Sequence, residues 1–321
     1  MVYRILVSDK LSDKALAVFD GESDFSVIVK TGMGEEELVK EIPDYDGIIV
    51  RSGTKVTKPV LEAAAKLKVV GRAGVGTDNV DKAVAKEKGI VVMNTPLGNV
   101  NSAAEHTMGM MHALARHIHK GHASMSKGEW DRKRFVGSEL KDKTLGIIGV
   151  GNVGKIIAKL AAGFSMKVIG TSRSKPPELL KEWGVEKVEL EELLKQADFI
   201  SINLTMTPET KYTLDKEEFE KMKDGAYVIN VGRGGLVNEA ALAEAIKSGK
   251  IAGAAIDVWE SEPPKDSPLV NMEQVLMTPH LGASTKEAQE NVGIDIAHQV
   301  IDALKDGKIV HCVNGVEKLR E

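Results

Sequence analysis

A chain of 321 residues with a formal charge of −4 exceeds what one hydrophobic core usually supports and has no excess of cations for nucleic acid or an acidic membrane surface. Two domains and small-molecule partners are therefore expected, with neither nucleic acid nor membrane among them. At 42% hydrophobic and 28% charged residues the balance is that of a soluble enzyme, and no apolar run approaches the roughly 18 residues of a membrane span. The single cysteine, Cys312, excludes an internal disulfide and a cysteine metal framework. The start, Met1-Val2-Tyr3-Arg4-Ile5-Leu6-Val7, runs into a strand-like stretch without a basic and apolar leader, so a cytoplasmic location is expected.

Short β-branched runs alternate with amphipathic segments throughout, the pattern of parallel sheets crossed by helices. Strands are predicted at Ile5–Val7, Ser26–Val29, Gly47–Val50, Val69–Val70 and Ile90–Met93, with helices over Val60–Ala65 and Asp81–Lys88. Asn94-Thr95-Pro96 breaks the pattern, and Ser102-Ala103-Ala104-Glu105 has the spacing of a capping box that opens a long helix to about Gly121. A second sheet begins at Thr144–Ile148 and continues through Lys167–Ile169, Phe199–Ile202, Ala226–Val231, Ala254–Val258 and Val275–Met277. Six strands suit a doubly wound nucleotide fold. Another capping box, Ser284-Thr285-Lys286-Glu287, opens a helix to about Leu304, and Ile309–Val313 reads as a strand returning to the first domain. The expected class is α/β with two doubly wound parallel-sheet domains. A Rossmann dinucleotide-binding domain, 101–284, is inserted into a discontinuous flavodoxin-like substrate (lid) domain, 1–100 and 285–321.

Gly149-Val150-Gly151-Asn152-Val153-Gly154 follows a predicted strand and opens a helix over Lys155–Ala162. In that context Gly149 makes the turn, Gly151 lets a pyrophosphate reach the backbone and Gly154 lets helix and strand pack closely. Enzymes that use NAD usually end the second strand on an Asp or Glu that binds the ribose hydroxyls; here the chain reads Gly170-Thr171-Ser172-Arg173-Ser174. Arg173 can pair with a 2′-phosphate and Ser172 and Ser174 can donate to it, so either NADP or NAD is expected, with NADP favoured.

Three polar residues follow the last strands, where open α/β sheets build their sites: Arg233 in Asn230-Val231-Gly232-Arg233-Gly234-Gly235, Glu262 in Glu260-Ser261-Glu262-Pro263-Pro264, and His280 in Thr278-Pro279-His280-Leu281-Gly282. Oxidising an alcohol to a ketone needs a base for the hydroxyl proton, and histidine titrates near working pH. A carboxylate beside it fixes its tautomer, and a guanidinium grips a substrate carboxylate in two places. His280 is therefore assigned as acid/base, Glu262 as its partner and Arg233 as anchor. His112, His117, His119 and His122 lack metal-ligand spacing, and no metal is expected.

Over nearly its whole length the chain resembles the D-isomer-specific 2-hydroxyacid dehydrogenases. The resemblance is carried by Gly149-x-Gly151-x-x-Gly154, Asn230-x-x-Arg233-Gly234, Asp257-Val258-x-x-x-Glu262-Pro263 and Pro279-His280. It implies that Arg233, Glu262 and His280 are catalytic, and that Asn152, Val153, Leu204, Val231, Asp257 and Gly282 line the cofactor. It also implies a cleft that closes over the substrate and a homodimer built around the Ser102–Lys120 helix. Met108, Met110 and Met111 on that helix are expected as adaptable packing at the interface.

Within the family the N-terminal half is most similar to the phosphoglycerate dehydrogenases, through Val50-Arg51-Ser52-x-Thr54-Lys55-Val56, Gly71-Arg72-Ala73-Gly74-Val75-Gly76-x-Asp78-Asn79-Val80-Asp81 and Trp130-Asp131-Arg132-Lys133-Arg134-Phe135. The implied reaction is hydride transfer at C2 of D-3-phosphoglycerate, the first step of serine biosynthesis. By the same resemblance Arg51 and Arg72 meet the substrate phosphate, Gly74 and Val75 offer amides to its carboxylate, and Arg132 reaches across the dimer. The sequence ends at Glu321, so feedback through the serine-binding extension of longer relatives is not expected. The missing ribose carboxylate also resembles NADPH-dependent glyoxylate and hydroxypyruvate reductases, and the fold resembles dinucleotide-sensing corepressors; these are the alternative readings.

Overall fold

The computed structural model describes residues 2–320. The chain divides into two compact units, Met1–Asn99 with Ser284–Glu321, and Val100–Ala283.

The first unit is built on five parallel strands, β1 (Tyr3–Val7), β2 (Phe25–Val29), β3 (Gly47–Val50), β4 (Val69–Arg72) and β5 (Val91–Asn94), in the order β2-β1-β3-β4-β5. This is the flavodoxin-type order, in which the chain reverses direction beside the first strand. β3 and β5 are buried along their whole length, which explains why they read as continuous apolar runs. On one face Leu38, Ile42, Tyr45, Val60 and Leu61 close over the sheet. On the other lies the helix Lys286–Asp306, whose Val292, Ile296 and Val300 recur every four residues and meet Ile5, Val7, Val69 and Val91. Gly71 makes this contact possible, because a Cβ there would lie 2.8 Å from Ile296 and 2.9 Å from Val300. Fully burying each such branched side chain is worth about 1.5–3 kcal/mol.

The helix is capped one residue later than predicted. Thr285, not Ser284, accepts the Ala288 amide at 3.1 Å, and Gly307 ends the helix at φ +66°. Ile309–Val313 does return to this unit, but not as a strand. His311 adopts φ +51°, which no extended strand tolerates, and only Cys312 forms an antiparallel bridge, to Met93.

The second unit carries seven parallel strands: β6 (Thr144–Ile148), β7 (Lys167–Thr171), β8 (Glu186–Lys187), β9 (Phe199–Ile202), β10 (Ala226–Asn230), β11 (Ile251–Ile256) and β12 (Val275–Met277). Their order is β12-β11-β10-β9-β6-β7-β8, so the crossover reverses between β6 and β9, which is where such sheets bind ligands. The unpredicted strand, β8, is two polar residues long and offers no periodicity to read. β11 begins three residues before the predicted Ala254, and a Cβ on its Gly253 would lie 2.6 Å from the Gln274 carbonyl.

The predicted long helix is two. It begins at Val100, so Ser102 lies inside it rather than capping it, and it stops at Ala115. His117 takes a left-handed φ of +52°, and a second helix runs Ile118–Ser126. Met108, Met110 and Met111 are buried in the unit's own core with Leu145, Ile147 and Ala255, correcting their expected place at an interface.

Candidate active site

At the end of β6 the three glycines do three different things. Gly149 has φ +91°, and a Cβ on it would lie 2.6 Å from the Leu204 side chain and 2.8 Å from the Asn203 carbonyl at the end of β9. Gly151 faces open space and precedes the helix Asn152–Gly163, whose first turn has no side-chain cap. A Cβ on Gly154 would lie 3.1 Å from both the Gly149 carbonyl and the Ile147 side chain. The turn is fastened to β7, since the Gly149 amide donates to Thr171 Oγ1 at 3.2 Å and the Val150 amide to the Thr171 carbonyl at 2.8 Å. A helix N-terminus with open space before it suits a pyrophosphate.

A cavity of about 570 Å³ extends from this turn along the ends of β6, β7 and β9, within the range of a cofactor site. Gly149, Gly151, Ser172, Arg173, Ser174 and Leu204 line it, as do Lys187, Glu189, Thr205, Thr207, Glu209 and Thr210. Asn152, Val153, Gly154, Val231, Asp257 and Gly282 are not among its walls.

The catalytic candidates sit on successive loops after β10, β11 and β12. His280 Nδ1 meets both oxygens of Glu262, at 3.0 and 2.9 Å. With the Nδ1 proton donated to that carboxylate, Nε2 presents its lone pair. Both side chains are close to half exposed, so a substrate can reach them. Arg233 is half-buried, and its Nη1 donates to the Gly232 carbonyl at 2.7 Å. Asn230 clasps the same loop, donating to the Arg233 carbonyl at 2.9 Å and accepting the Gly232 amide at 3.1 Å. The Arg233 and Glu262 loops touch at Gly234, where a Cβ would lie 1.8 Å from the Trp259 carbonyl. Trp259 in turn donates its amide to Glu262 at 3.3 Å and its Nε1 to the Thr278 carbonyl at 3.3 Å.

Beneath His280 lies Asp257, fully buried. Its carboxylate accepts the Leu281 amide at 2.7 Å, the Gly282 amide at 2.9 Å and the Thr278 hydroxyl at 2.5 Å, while its carbonyl accepts the His280 amide at 2.8 Å. His106 Nε2, from the helix Val100–Ala115, stands 3.4 Å away. Burial alone would push this carboxyl up, but the hydrogen bonds from His106, Thr278 and the two amides outweigh it and hold the group at about 2. The turn that Asp257 fastens carries His280 at φ +56°, a conformation most side chains avoid. Asp257 therefore positions the loop that carries His280, a role beyond the cofactor contact expected of it. Its amide partners lie 24 and 25 residues away, so no local signal announces it. His106 and Thr278 were missed for the same reason.

In the first unit Arg51 follows β3 and Arg72 ends β4. Asp9 accepts the Arg51 and Thr54 amides at 2.6 and 3.1 Å, and Arg51 Nη1 donates to the Lys10 carbonyl at 3.3 Å. Arg72 Nη1 donates to the Ala73 carbonyl at 3.1 Å. Gly74, at φ +140°, leaves the space its guanidinium fills. The carbonyls of Gly74 and Val75 are engaged by the Thr95 amide and Asn94 Nδ2, at 3.1 and 2.6 Å, and Asn79 braces the Arg51 and Thr54 carbonyls at 2.7 and 2.6 Å. Arg132 is exposed on a short helical turn, Arg132–Phe135. Among the described residues no metal-binding group of His, Cys, Asp and Glu is present, and no helix is long and apolar enough to cross a membrane.

The sequence profile described as D-isomer specific 2-hydroxyacid dehydrogenase, NAD binding domain, matches residues 108–282. The chain belongs to this family. It is 48% identical over 312 residues to a D-3-phosphoglycerate dehydrogenase of Methanocaldococcus jannaschii, covering 97% of this chain and 59% of that one. To the Rattus norvegicus protein of the same name it is 46% identical over 311 residues, covering 97% and 58%. The chain thus spans about three-fifths of the length of these relatives. Among solved structures, a Thermus thermophilus protein matches with a TM-score of 0.87 at 33% identity, covering 97% of this chain and 99% of that one. A glyoxylate reductase from Paecilomyes thermophila matches with a TM-score of 0.88 at 29% identity, covering 97% and 98%.

Proposed function

We propose that this dehydrogenase moves a hydride between C2 of D-3-phosphoglycerate and a nicotinamide dinucleotide, the first step of serine biosynthesis. The observation that carries the substrate choice is the likeness over nearly the whole chain to proteins of that name, at 43–48% identity, against 29% for the glyoxylate reductase. The unit Val100–Ala283 serves as the dinucleotide-binding domain and the other as the substrate domain. A bound nicotinamide would supply the hydride acceptor or donor for C2. His280 takes the C2 hydroxyl proton at Nε2 and returns it in the reverse direction, while Glu262 holds the ring through Nδ1. Arg233 grips the substrate carboxylate, Gly74 and Val75 supply amides to it, and Arg51 and Arg72 bind the phosphate, a dianion that calls for guanidinium pairs.

The cofactor residues Gly149, Gly151, Asn152, Val153, Gly154, Leu204, Val231, Asp257 and Gly282 hold the dinucleotide, and Ser172, Arg173 and Ser174 favour NADP over NAD through the cation on the cavity wall. The enzyme acts as a homodimer. Ile118, Met125, Trp130, Val136 and Phe164 are large, exposed apolar side chains of one unit, surface for a second copy to cover. The proposed contact is thus the helix Ile118–Ser126 and the segment after it, and Arg132 on that segment extends toward the partner's substrate. Sedimentation of wild type and Trp130→Asp tests this; a monomeric wild type contradicts it. Steady-state kinetics with both cofactors test the rest, the expected result being turnover of 3-phosphoglycerate with a preference for NADP.

The loop Ser172-Arg173-Ser174 also favours a second reading, an NADPH-dependent glyoxylate or hydroxypyruvate reductase. Activity with those acids at the expense of 3-phosphoglycerate is the outcome that selects it.

A further inference from the structure

The cavity at the ends of β6, β7 and β9 has four charged residues on its walls: Arg173, Lys187, Glu189 and Glu209. Lys187 Nζ is committed to the Lys175 carbonyl at 2.9 Å, and Glu189 stands at the N-terminus of the helix Leu190–Gln196. Arg173, Glu189 and Glu209 remain as charges on the walls, and Glu209 is the acid whose carboxyl feels the field of Arg173. Arg173 comes from the loop after β7, the place where this class of fold reads the adenosine ribose. Glu209 comes from the segment after β9, 36 residues further along the chain.

Glu209 is not on a loose loop. The Thr207 amide donates to Thr210 Oγ1 at 2.8 Å, Thr210 Oγ1 donates to the Thr205 carbonyl at 2.7 Å, and Thr213 Oγ1 donates to the Thr210 carbonyl at 2.8 Å. Thr210 is buried at the centre of this knot, with Pro208 and Glu209 on its outer turn. The Glu209 carboxyl lies below its ordinary range, held there first by a hydrogen bond from Thr207, then by its own backbone amide, and also by the field of Arg173. It is therefore an anion lining the same cavity as the Arg173 cation.

A ribose 2′-hydroxyl can donate to such a carboxylate, whereas a 2′-phosphate brings about two negative charges beside it. Specificity needs an element that rejects the wrong ligand as well as one that attracts the right one. We infer that Glu209 is a specificity-determining residue for the dinucleotide, opposing the 2′-phosphate that Arg173 attracts, so that two walls of the cavity set the choice between NADP and NAD. The inference rests on reading this cavity as the adenosine end of the dinucleotide site. It refines the preference for NADP: Arg173 sets its direction and Glu209 keeps it narrow. Both groups are open to water, so each effect is modest, about five- to tenfold.

Calorimetric binding of adenosine 2′,5′-bisphosphate and of 5′-AMP to the full chain separates the two terms, because the ligands differ only in the 2′-phosphate. Glu209→Gln is expected to tighten the bisphosphate about fivefold and leave 5′-AMP within about twofold. Arg173→Gln is expected to weaken the bisphosphate about tenfold with 5′-AMP likewise unchanged. Salt near 1 M should shrink both differences, since the Debye length there is only about 3 Å. If Glu209→Gln leaves the ratio of the two affinities where it was, or moves both ligands together, the role of Glu209 is overturned. If wild type binds neither ligand, the dinucleotide reading of the cavity falls, and this inference with it.

Discussion

The two units solve one problem with the same device at two strengths. Each must hold a charged side chain just beyond a parallel strand, and each uses a carboxylate that accepts backbone amides. In the first unit Asp9 accepts the Arg51 and Thr54 amides from a half-buried position. In the second, Asp257 is fully buried, accepts the Leu281 and Gly282 amides and the Thr278 hydroxyl, and has His106 beside it. The difference follows from the tasks proposed for the residues they hold. An arginine gripping a phosphate tolerates several geometries, whereas a base that removes a proton must stay within hydrogen-bond reach, and here it sits on a left-handed backbone that must be held in place. The anchor of the His280 loop is fully buried, and that of the Arg51 loop is half-buried.

The most severe test of that contrast is His280→Ala, expected to lower kcat about 10³-fold while cofactor affinity changes less than about threefold. Equal losses in both would make His280 a structural residue.

Next comes Asp257→Asn, which removes the charge from a buried acceptor and is expected to cost about 1–3 kcal/mol in chemical denaturation. Because the Asp257 carboxyl is depressed to about 2 from 3.8, its stabilisation is fully present above the ordinary value and is lost as pH falls through about 2. Circular dichroism during acid titration should therefore show wild type losing stability relative to Asp257→Asn between about pH 4 and 2, with a constant gap above. A gap that stays constant down to pH 2 would contradict this account of Asp257.

Smaller again is Arg72→Gln, expected to reduce kcat/KM for 3-phosphoglycerate about tenfold and to leave unphosphorylated acids nearly unaffected. Asp9→Asn should be the mildest, raising KM for 3-phosphoglycerate about threefold at unchanged kcat, since it loosens a partly exposed loop by about 0.5–1 kcal/mol. A larger loss from Asp9→Asn than from Asp257→Asn would reverse the comparison.

The sheets were legible in the sequence because buried parallel strands are continuous runs of branched residues, as in Gly47–Val50 and Phe199–Ile202. Glu186–Lys187 was not, being too short and polar to carry a pattern. The break at His117 was illegible as well: Arg116-His117-Ile118-His119 contains neither glycine nor proline to signal a left-handed turn. In the site, Arg233, Glu262 and His280 stand next to glycine or proline on loops after strands, so position and chemistry coincide in the text. Asp257 and Glu209 act on partners 24 and 36 residues distant along the chain, and only folding brings these together. A carboxylate is missing only where β7 ends; an acid, Glu209, borders the same cavity from the segment after β9.

The proposed contrast between the loop that carries His280 and the phosphate-gripping arginines is tested most directly by reduced-nicotinamide absorbance kinetics on the purified chain, pairing each cofactor with 3-phosphoglycerate, glycerate, hydroxypyruvate and glyoxylate. The account predicts a kcat/KM for 3-phosphoglycerate well above that for oxidation of its unphosphorylated analogue, glycerate. Turnover confined to hydroxypyruvate or glyoxylate would contradict it, leaving Arg51 and Arg72 without the phosphate they are proposed to bind.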